Sequence, residues 1–285
     1  MRDLADSLDV IVSADGRRLR LVHGPSDVIV TAEGEAPARM AAFARIRATF
    51  APLLAELAAE LPRLRAPEGA MPAGAVARRM VAAIAPFAGV FVTPMAAVAG
   101  ATADHLLAAA LLPGHGLTRL SVNNGGDIAL WQGAGAVRIA ICDDPQTGRA
   151  GGRIELPADA GIGGIATSGW RGRSFSRGIA DAVTVLAADA ASADVAATLI
   201  ANAVDLPGHG AITRAPARTL FPDSDLGEIP VTTDVGALSA AECEMALDSG
   251  CACAETFRAR GLIRAAYLSL GEHRRTLAGK ELSRA

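Results

Sequence analysis

The pattern of apolar and polar positions predicts strands at the start of the chain and helices after them. Residues 9–33 alternate around Gly24-Pro25, which favours two short strands. Over residues 38–61 the apolar positions recur at helical spacing, and Pro52 is expected to kink or split that helix. A further helix is predicted over 75–85, before the next proline.

The rest of the chain mixes strands and helices without βαβ regularity. Residues 123–127, Asn-Asn-Gly-Gly-Asp, join two hydrophobic runs and predict a hairpin. Helices are predicted over 102–112 and 190–204, each followed by Pro-Gly, and a Ser-x-x-Glu capping box at Ser239 opens a last helix that runs to about Arg260. Because strands mostly follow strands, the order favours an α+β fold. No low-complexity linker interrupts it, so we expect a single domain over residues 1–285.

A five-residue repeat raises the question of internal duplication. Residues 112–116, Leu-Pro-Gly-His-Gly, recur as residues 206–210, and each copy ends a predicted helix that begins with Ala-Asp. Proline and glycine are ordinary helix terminators, so shared stop chemistry explains the repeat as well as duplication does. The five matching letters favour duplication slightly.

The composition excludes several classes of protein. Hydrophobic residues make up 51% and charged residues 20%, so the chain can bury a core and is not globally disordered. The net charge is −3 with scattered arginines, which favours neither nucleic-acid binding nor a polybasic membrane patch. The single lysine, Lys280, is in a polar C-terminal stretch, so neither a Schiff-base lysine nor a P-loop is expected.

The cysteines and the hydrophobic runs indicate a soluble, cytoplasmic protein. No two of the four cysteines form a C-x-x-C pair, and three share one predicted helix, as expected of buried thiols in a reducing compartment. Residues 1–14 carry acids throughout and predict no secretory signal. Residues 81–103 are free of charge, but prolines and glycines interrupt them, so we interpret them as buried backbone lining a site rather than a membrane span.

Two glycine-rich segments and one helix carry candidate chemistry. Glycines in residues 123–127 and 161–169 allow close approach of backbone N–H groups to a phosphate, and arginines follow the second segment at 171–177. A tight hairpin and a solvated basic loop are the structural alternatives. Asp194 and Thr198 lie four apart on one helical face and offer oxygen ligands for Mg²⁺. Their alternative role is to serve the helix dipole and backbone.

Taken in chain order, these segments resemble a known family. Residues 122–128 are similar to the Asn-x-Gly-Gly-Asp-Ile motif of the ApbE-type FAD:protein FMN transferases. Residues 166–169 resemble the Ala-Thr-Ser-Gly loop of these enzymes, and residues 182–198 resemble their Ser-Val-Thr-Val strand followed by Ala-Asp-x-x-x-Thr. An uncharacterised branch of the superfamily, protein family 0280, is the closer match, because residues 23–27 and 94–100 also match it.

The resemblance implies an α+β, ApbE-like fold with a mixed, largely antiparallel sheet, packed helices, and FAD or FMN bound with Mg²⁺ between the motif loops. The magnesium ligands of the transferases correspond to Asp194 and Thr198, and a third, backbone ligand corresponds loosely to residues 97–100. The positions implied to contact the nucleotide are Pro94, Met95, Ala96, Asn124, Gly125, Gly126, Asp127, Thr167, Ser168 and Gly169.

Two departures from the transferase pattern affect the expected activity. The lysine of the family's Gly-x-Ala-Lys-Gly loop is absent, since Gly100 follows Ala99, and the His-x-x-Asp-Pro segment that supplies a base has no counterpart in residues 174–182. Asp181 is nearby and is the candidate catalytic residue, although a carboxylate needs a raised pKa for that role.

The resemblance thus leads to a flavin-handling protein that acts as a flavin transferase or an FAD pyrophosphate-cleaving enzyme. A non-catalytic flavin or small-ligand binding protein, and an enzyme acting on an unrelated metabolite in the same cleft, are the alternatives. The expected partner is a small nucleotide, with no nucleic acid and no membrane, and the sequence does not identify an acceptor protein. The alanine-rich helix over 190–204 fits core packing or a homodimer equally well.

Overall fold

A nine-stranded sheet organises the chain. The structure is a computed structural model that describes residues 8–144 and 149–277, so Lys280 lies outside the described residues. All neighbouring strands of the sheet pair antiparallel. In sheet order the strands are β1 (Asp9–Val12), β2 (Arg18–His23), β3 (Ser26–Gly34), β4 (Leu117–Asn124), β5 (Asp127–Gln132), β8 (Gly164–Ser168), β9 (Ala182–Ala187), β12 (Ala265–Leu270) and β13 (His273–Leu277).

The remaining strands form two separate antiparallel pairs, and the helices fall between strands throughout the chain. The pairs are β6 (Ala136–Asp144) with β7 (Arg149–Pro157), and β10 (Ile212–Pro216) with β11 (Pro230–Val235). The helices are α1 (Ala36–Phe50), α2 (Leu53–Ala59), α3 (Leu61–Leu64), α4 (Ala75–Ile84), α5 (Val98–Ala110), α6 (Ala190–Ala203), α7 (Ala217–Leu220) and α8 (Ala240–Ala259).

The two faces of the sheet are covered differently. The larger core lies between one face and the helices, and it includes alternate residues of the strands, such as Val28 and Val30 of β3 and Val183 and Val185 of β9. On the opposite face the β6–β7 hairpin covers only part of the sheet. This smaller cluster contains Leu130, Ile141, Leu156, Ile165, Leu186, Ala265 and Tyr267. The α+β class and the antiparallel sheet with packed helices are therefore confirmed.

Helices α5 and α6 meet near their N-termini, and small residues make this contact feasible. A Cβ on Gly100 of α5 would lie 2.3 Å from the carbonyl oxygen of Ala190 in α6. A Cβ on Gly164 of β8 would lie 2.0 Å from the carbonyl carbon of Asp189, the residue that precedes α6. Alanines fill most of the buried positions of α6. Close backbone approach therefore fixes α6 against both α5 and the sheet.

One buried and one half-buried carboxylate join these helices reciprocally. Asp104 of α5 accepts hydrogen bonds from the backbone N–H groups of Ala190 (3.0 Å) and Ala191 (2.9 Å) at the start of α6. Asp194 of α6 accepts one from the N–H of Gly100 (3.0 Å) near the start of α5. The first N–H groups of a helix have no intrahelical acceptor, so each carboxylate satisfies donors of the other helix.

The structure confirms several of the predicted helices and strands and corrects others. Pro52 separates α1 from α2, and the capping box at Ser239 is present. The strands predicted around Gly24-Pro25 are β2 and β3, with β1 as a third, unpredicted strand. The glycines at 163–164 suggested a loop, but Gly164 begins β8 because the strand passes close to α6.

The boundaries of α5 also differ from expectation. The helix predicted over 102–112 spans Val98–Ala110, after a short 3-10 turn at Pro94–Ala97. Residues 81–103 therefore form the end of α4, irregular backbone and the start of α5. No helix in residues 8–144 or 149–277 combines the length and apolar character that crossing a membrane would need.

The repeated five-residue segments adopt matching turns. The N–H of His115 donates to the carbonyl of Leu112 (3.0 Å), and the N–H of His209 donates to that of Leu206 (3.2 Å). In each turn the histidine Nδ1 accepts a hydrogen bond from the N–H two residues further on, at 3.0 Å and 3.2 Å. The repeated sequence thus forms the same local turn after α5 and after α6, two helices that contact each other. Internal duplication itself stays a hypothesis.

The α5–α6 contact gives the first testable prediction. Gly100→Ala places a methyl group against the Ala190 carbonyl, so the helices must separate and the free energy of unfolding should fall by about 1–3 kcal/mol. Chemical denaturation measures the change. Gly210→Ala is the matched control, because a Cβ there meets nothing within 4 Å. Equal stability of the two variants would contradict the close contact.

Candidate functional site

The turn between β4 and β5 directs Asp127 towards the helices. Gly126 has φ +117°, a conformation that favours glycine, and its N–H donates to Asn123 Oδ1 at 2.9 Å. Asn124 is buried and its Nδ2 donates to the carbonyl of Ala99 at 3.3 Å. The hairpin is thereby attached to the start of α5. Residues 123–127 thus form a tight hairpin turn, and the same turn brings the Asp127 carboxylate to the base of a cavity.

Asp127 and Asp194 lie close enough for their charges to repel. Asp127 Oδ1 accepts a hydrogen bond from the N–H of Thr167 at 3.3 Å. Asp194 is held by the N–H groups of Gly100 and Ala99 rather than by its own helix. Its negative charge therefore lies at the positive N-terminal end of α5, and not only at that of its own helix α6, as the sequence had suggested.

Thr198 completes the cluster one helical turn after Asp194. Within the part of the chain that the structure describes, its hydroxyl makes no hydrogen bond to the preceding turn of α6. Thr256 of α8 behaves otherwise, since its Oγ1 donates to the carbonyl four residues earlier at 2.9 Å. Thr198 instead lines the cavities, so its oxygen is available to a ligand.

The surroundings of both carboxylates favour a proton or a cation. Burial raises the pKa of Asp127 to about 7, against the opposing effect of the Thr167 N–H. Burial, and then the charge of Asp127, raises the pKa of Asp194 well above its usual range, while the Gly100 and Ala99 amides act in the opposite direction. Two ionised carboxylates so placed repel each other unless a positive charge lies between them.

Two cavities meet at this carboxylate pair. The main cavity has a volume of about 640 Å³ and the smaller one about 390 Å³. Both volumes are within the range of small-molecule sites. The residues that line both are Asp127, Arg173, Ser174, Asp194 and Thr198. A ligand that filled both cavities would therefore pass beside the carboxylates.

The walls of the main cavity combine aromatic and cationic side chains. Three of the seven phenylalanines of the chain line it, namely Phe91, Phe175 and Phe221. Arg65, Arg173 and Arg177 also line it. Phenylalanine rings suit a planar aromatic group, and arginine forks suit phosphate or carboxylate oxygens.

One wall of the smaller cavity consists of backbone and small hydroxyl side chains, and isoleucines line much of the rest. Gly125, Gly126 and Gly169 contribute backbone surface, and Thr167 and Ser168 lie beside them at the end of β8. The Thr167 hydroxyl shares a 2.8 Å hydrogen bond with Thr184 of β9. This wall is held by strand pairing, so its polar groups are positioned before any ligand arrives.

Asp181 has a different environment from the other predicted residues. Its carboxylate accepts hydrogen bonds from Arg171 Nε (2.6 Å), Trp170 Nε1 (3.2 Å) and the N–H of Gly271 (2.7 Å). It lines neither cavity. These contacts hold the carboxylate in the turn after β8, and a catalytic role for Asp181 stays a prediction.

The structure brings together most of the residues predicted for the site. Those that line the two cavities are Met95, Ala96, Gly125, Gly126, Asp127, Thr167, Ser168, Gly169, Asp194 and Thr198. Pro94 is buried at the start of the 3-10 turn, and Asn124 supports the site through Ala99. Neither residue lines the cavities, and both lie in the layer that supports the lining residues.

Sequence reasoning missed several lining residues. They are Arg65, Phe91, Phe175 and the segment around α7 that includes Leu220, Phe221 and Asp225. Asp225 accepts a hydrogen bond from the hydroxyl of buried Thr93 at 2.5 Å. One sequence signal could have indicated some of them. Aromatic residues make up only 4% of the chain, so a phenylalanine in a predicted loop is a candidate for a ligand contact.

The donor set at the junction is compatible with Mg²⁺. Carboxylate and hydroxyl oxygens are the ligands that Mg²⁺ prefers, usually with water and substrate phosphates. Among the residues the structure describes, no group of three or more His, Cys, Asp or Glu side chains is arranged to hold a metal ion. Two carboxylates and Thr198 therefore require further oxygens from a ligand or from water.

Comparisons with known proteins agree with this picture at the family level. The family model described as AbpE bacteria matches residues 11–277. The UPF0280 protein of Methanopyrus kandleri is 44% identical over 130 residues, 45% of this chain and 48% of the relative. The UPF0280 protein of Methanocaldococcus jannaschii is 39% identical over 114 residues, 39% of this chain and 45% of the relative. The chain spans about half the length of these curated relatives.

A solved structure is also similar to this one. The apo form of the flavinyl transferase ApbE from Pseudomonas stutzeri superposes with a TM-score of 0.48 and 15% sequence identity. The match covers 99% of this chain and 97% of that chain.

The carboxylate pair gives a prediction for the dependence of stability on pH. The folded-state pKa values of Asp127 (about 7), Asp104 (about 6) and Asp194 are all raised above the ordinary value of 3.8. At a pH between the ordinary pKa of 3.8 and the raised folded-state pKa, the folded protein keeps protons on these carboxyl groups that the unfolded chain has released. The free energy of unfolding in EDTA should therefore fall as pH rises through 7, by up to about 1.4 kcal/mol per pH unit for each proton.

Urea denaturation at about pH 5 and about pH 8 measures this change. Asp127→Asn removes one titrating group and its repulsion of Asp194, so it should flatten the profile. Asp248→Asn is the control, because its side chain is 72% exposed on α8. Stability that rises over the same interval in the wild-type protein would show that the pair is ionised without cost.

Proposed function

The chain belongs to the family described as AbpE bacteria, and on this basis we propose that it binds a flavin nucleotide, FAD or FMN, with Mg²⁺ at the junction of its two cavities. One observation carries the proposal. Asp127 and Asp194, two half-buried carboxylates from separate elements, meet beside Thr198 where the cavities join. A site of this kind needs a cation, and a phosphate-bearing ligand supplies the oxygens that complete its coordination.

In this proposal Asp194, Thr198 and Asp127 hold the metal ion. The Gly100 and Ala99 amides orient the Asp194 carboxylate, and the Thr167 amide orients that of Asp127. When bound, Mg²⁺ supplies positive charge that polarises a pyrophosphate and stabilises charge developing at phosphorus. The residues of this chain contribute a fixed oxygen set and exclude water from the base of the cavities.

The two cavities suit the two halves of a dinucleotide. The phenylalanine-lined main cavity fits a planar ring system, and its arginines lie where phosphate oxygens would pass. The smaller cavity presents backbone groups of Gly125, Gly126 and Gly169. The resemblance of residues 122–128, 166–169 and 182–198 to the motifs of the FAD:protein FMN transferases supports a flavin as the ligand. We further propose that this protein catalyses either FMN transfer or cleavage of the FAD pyrophosphate.

A second candidate function is flavin binding without turnover. It is favoured by the absence of a histidine from both cavity linings among the described residues, and by the engagement of Asp181 in three structural hydrogen bonds. A base with a suitable pKa is needed to activate a hydroxyl acceptor. This candidate retains the nucleotide and the metal ion and omits the transfer.

Isothermal titration with FAD, with and without Mg²⁺, tests the binding site. We expect binding in Mg²⁺ to weaken about tenfold or more in EDTA and in Asp194→Asn, since either change removes part of a charged contact. The carboxamide retains an acceptor for the Gly100 amide, and circular dichroism checks the fold. Asp248→Asn should bind as the wild type does. Absence of FAD and FMN binding in all conditions would refute the flavin proposal.

Release of AMP from FAD distinguishes the enzyme from the binding protein. With FAD, Mg²⁺ and a serine- and threonine-containing peptide, a transferase yields flavinylated peptide and AMP in equal amounts, whereas a pyrophosphate-cleaving enzyme yields FMN and AMP. Either product should disappear in Asp194→Asn. FAD bound tightly with no AMP after prolonged incubation would establish the non-catalytic alternative.

A further inference from the structure

A third cavity lies beside the main one and shares part of one wall with the proposed flavin site. Its volume is about 560 Å³, and it lies between the C-terminal end of α6, α8 and the β10–β11 pair. Much of its wall is apolar, with Val90, Leu199, Pro207, Pro230 and Phe257. It meets the main cavity at three shared residues, Arg177, Leu199 and Asn202.

The backbone of Arg177 is held on two sides. Its N–H donates to Asn202 Oδ1 on α6 at 2.8 Å, and its carbonyl accepts from Thr232 Oγ1 on β11 at 3.4 Å. The preceding carbonyl, of Ser176, accepts from the N–H of Thr232 at 2.8 Å. A Cβ on Gly178 would lie 2.0 Å from the carbonyl oxygen of Ala201, so this segment is packed directly on α6. The structure therefore fixes the point from which the Arg177 side chain extends.

Three arginines of this stretch have three different environments. Arg171 forms an ion pair with Asp181 and lies over the Trp170 ring. Arg173 donates to the carbonyl of Pro25 at 3.2 Å. Within residues 8–144 and 149–277, the Arg177 guanidinium has neither a hydrogen-bond acceptor nor an ion-pair partner. Arg177 is exposed, so its charge is solvated rather than paired, on a backbone that the surrounding hydrogen bonds fix.

The other charges of the third cavity compensate one another. Arg214 forms an ion pair with Asp205, and both line this cavity. The Cys253 thiol also lines it, and burial raises its pKa to about 11, so it is neutral near pH 7. The wall therefore carries one uncompensated positive charge, on Arg177, beside an apolar surface.

We propose that the third cavity binds a small amphipathic anion, in which one phosphate or carboxylate group contacts Arg177 and an apolar body contacts the wall formed with Leu199 and Phe257. Arginine presents parallel N–H donors that match either anion. The cavity has the volume of a small-molecule site, and it opens onto the main cavity at the anion-binding end. This inference does not depend on the identity of the nucleotide.

A purely structural role for Arg177 makes a different prediction. The C-terminal end of α6 carries partial negative charge, and a nearby cation stabilises such an end. In that case Arg177→Met lowers stability slightly and changes no binding constant. The experiment must therefore measure ligand binding at the third cavity as well as stability.

Isothermal titration with phenyl phosphate, benzoate and benzyl alcohol supplies this measurement. Phenyl phosphate and benzoate distinguish the two anion types, and benzyl alcohol is the neutral analogue. We expect at least one anion to bind the wild type, with affinity about tenfold or more lower in Arg177→Met, partly restored in Arg177→Lys, and unchanged in the surface control Arg138→Met. Arg138 is 77% exposed in the side chain. Benzyl alcohol should bind more weakly and equally to all four proteins.

Cysteine alkylation locates the bound anion. Cys253 lines the third cavity, whereas Cys251, two residues earlier on α8, does not line it. Site-resolved mass spectrometry should show that the anion slows iodoacetamide alkylation of Cys253 and not of Cys251, and that Arg177→Met abolishes the protection. Anion binding without selective protection of Cys253, or equal affinity in wild type and Arg177→Met, would overturn the proposal. Titration with FAD is a separate experiment, so failure of either proposal leaves the other testable.

Discussion

The reciprocal capping of α5 and α6 is the interaction on which the site depends. Asp104 satisfies the first N–H groups of α6, and Asp194 satisfies those of α5. Burial opposes both charges, as the raised pKa of Asp104 (about 6) shows, but each carboxylate receives charge-assisted hydrogen bonds from a positive helix end. Gly100 permits the required approach. The same contact therefore fixes two helices and aims Asp194 at the cavities.

The second carboxylate reaches this point from the opposite layer of the fold. Asp127 begins β5 in the sheet, and its turn is attached to α5 through Asn124. The fold thus brings two like charges together from a helix and a hairpin, which costs free energy in the absence of a cation. Arg173 lines both cavities near the pair, and Arg65 and Arg177 lie on the walls of the main cavity. A metal ion at the carboxylates with an anionic ligand along the walls satisfies both sets of charges.

Much of this arrangement could be predicted from the sequence, because its signals are local. The Asn-Gly-Gly-Asp turn, the break at Pro52 and the i, i+4 spacing of Asp194 and Thr198 each depend on a few neighbouring residues. The start of α5 and strand β8 could not be predicted in the same way, because Gly100 and Gly164 are required by contacts with α6, which is distant in sequence. Arg65 and Phe221 reach the main cavity only through tertiary packing, and periodicity carries no information about that.

The segment between β8 and β9 is where this chain departs from the transferases it resembles, and the structure indicates what the departure changes. The N–H of Trp170 donates to the Ala180 carbonyl, that of Ile179 to the Val204 carbonyl, and that of Asp181 to the Ser269 carbonyl. The segment is therefore a closed turn held on α6 and β12, with the Asp181 carboxylate used inside it. The side chains that it presents at the cavities include the guanidinium groups of Arg173 and Arg177, and a guanidinium suits anion binding rather than acceptance of a proton. In the proposed function this segment contributes to recognition rather than to proton transfer, and β5 and α6 supply the oxygen set for the proposed metal ion. If both proposals hold, recognition and metal binding depend on different segments of the chain, and the specificity of this protein follows from Arg177 and the third cavity.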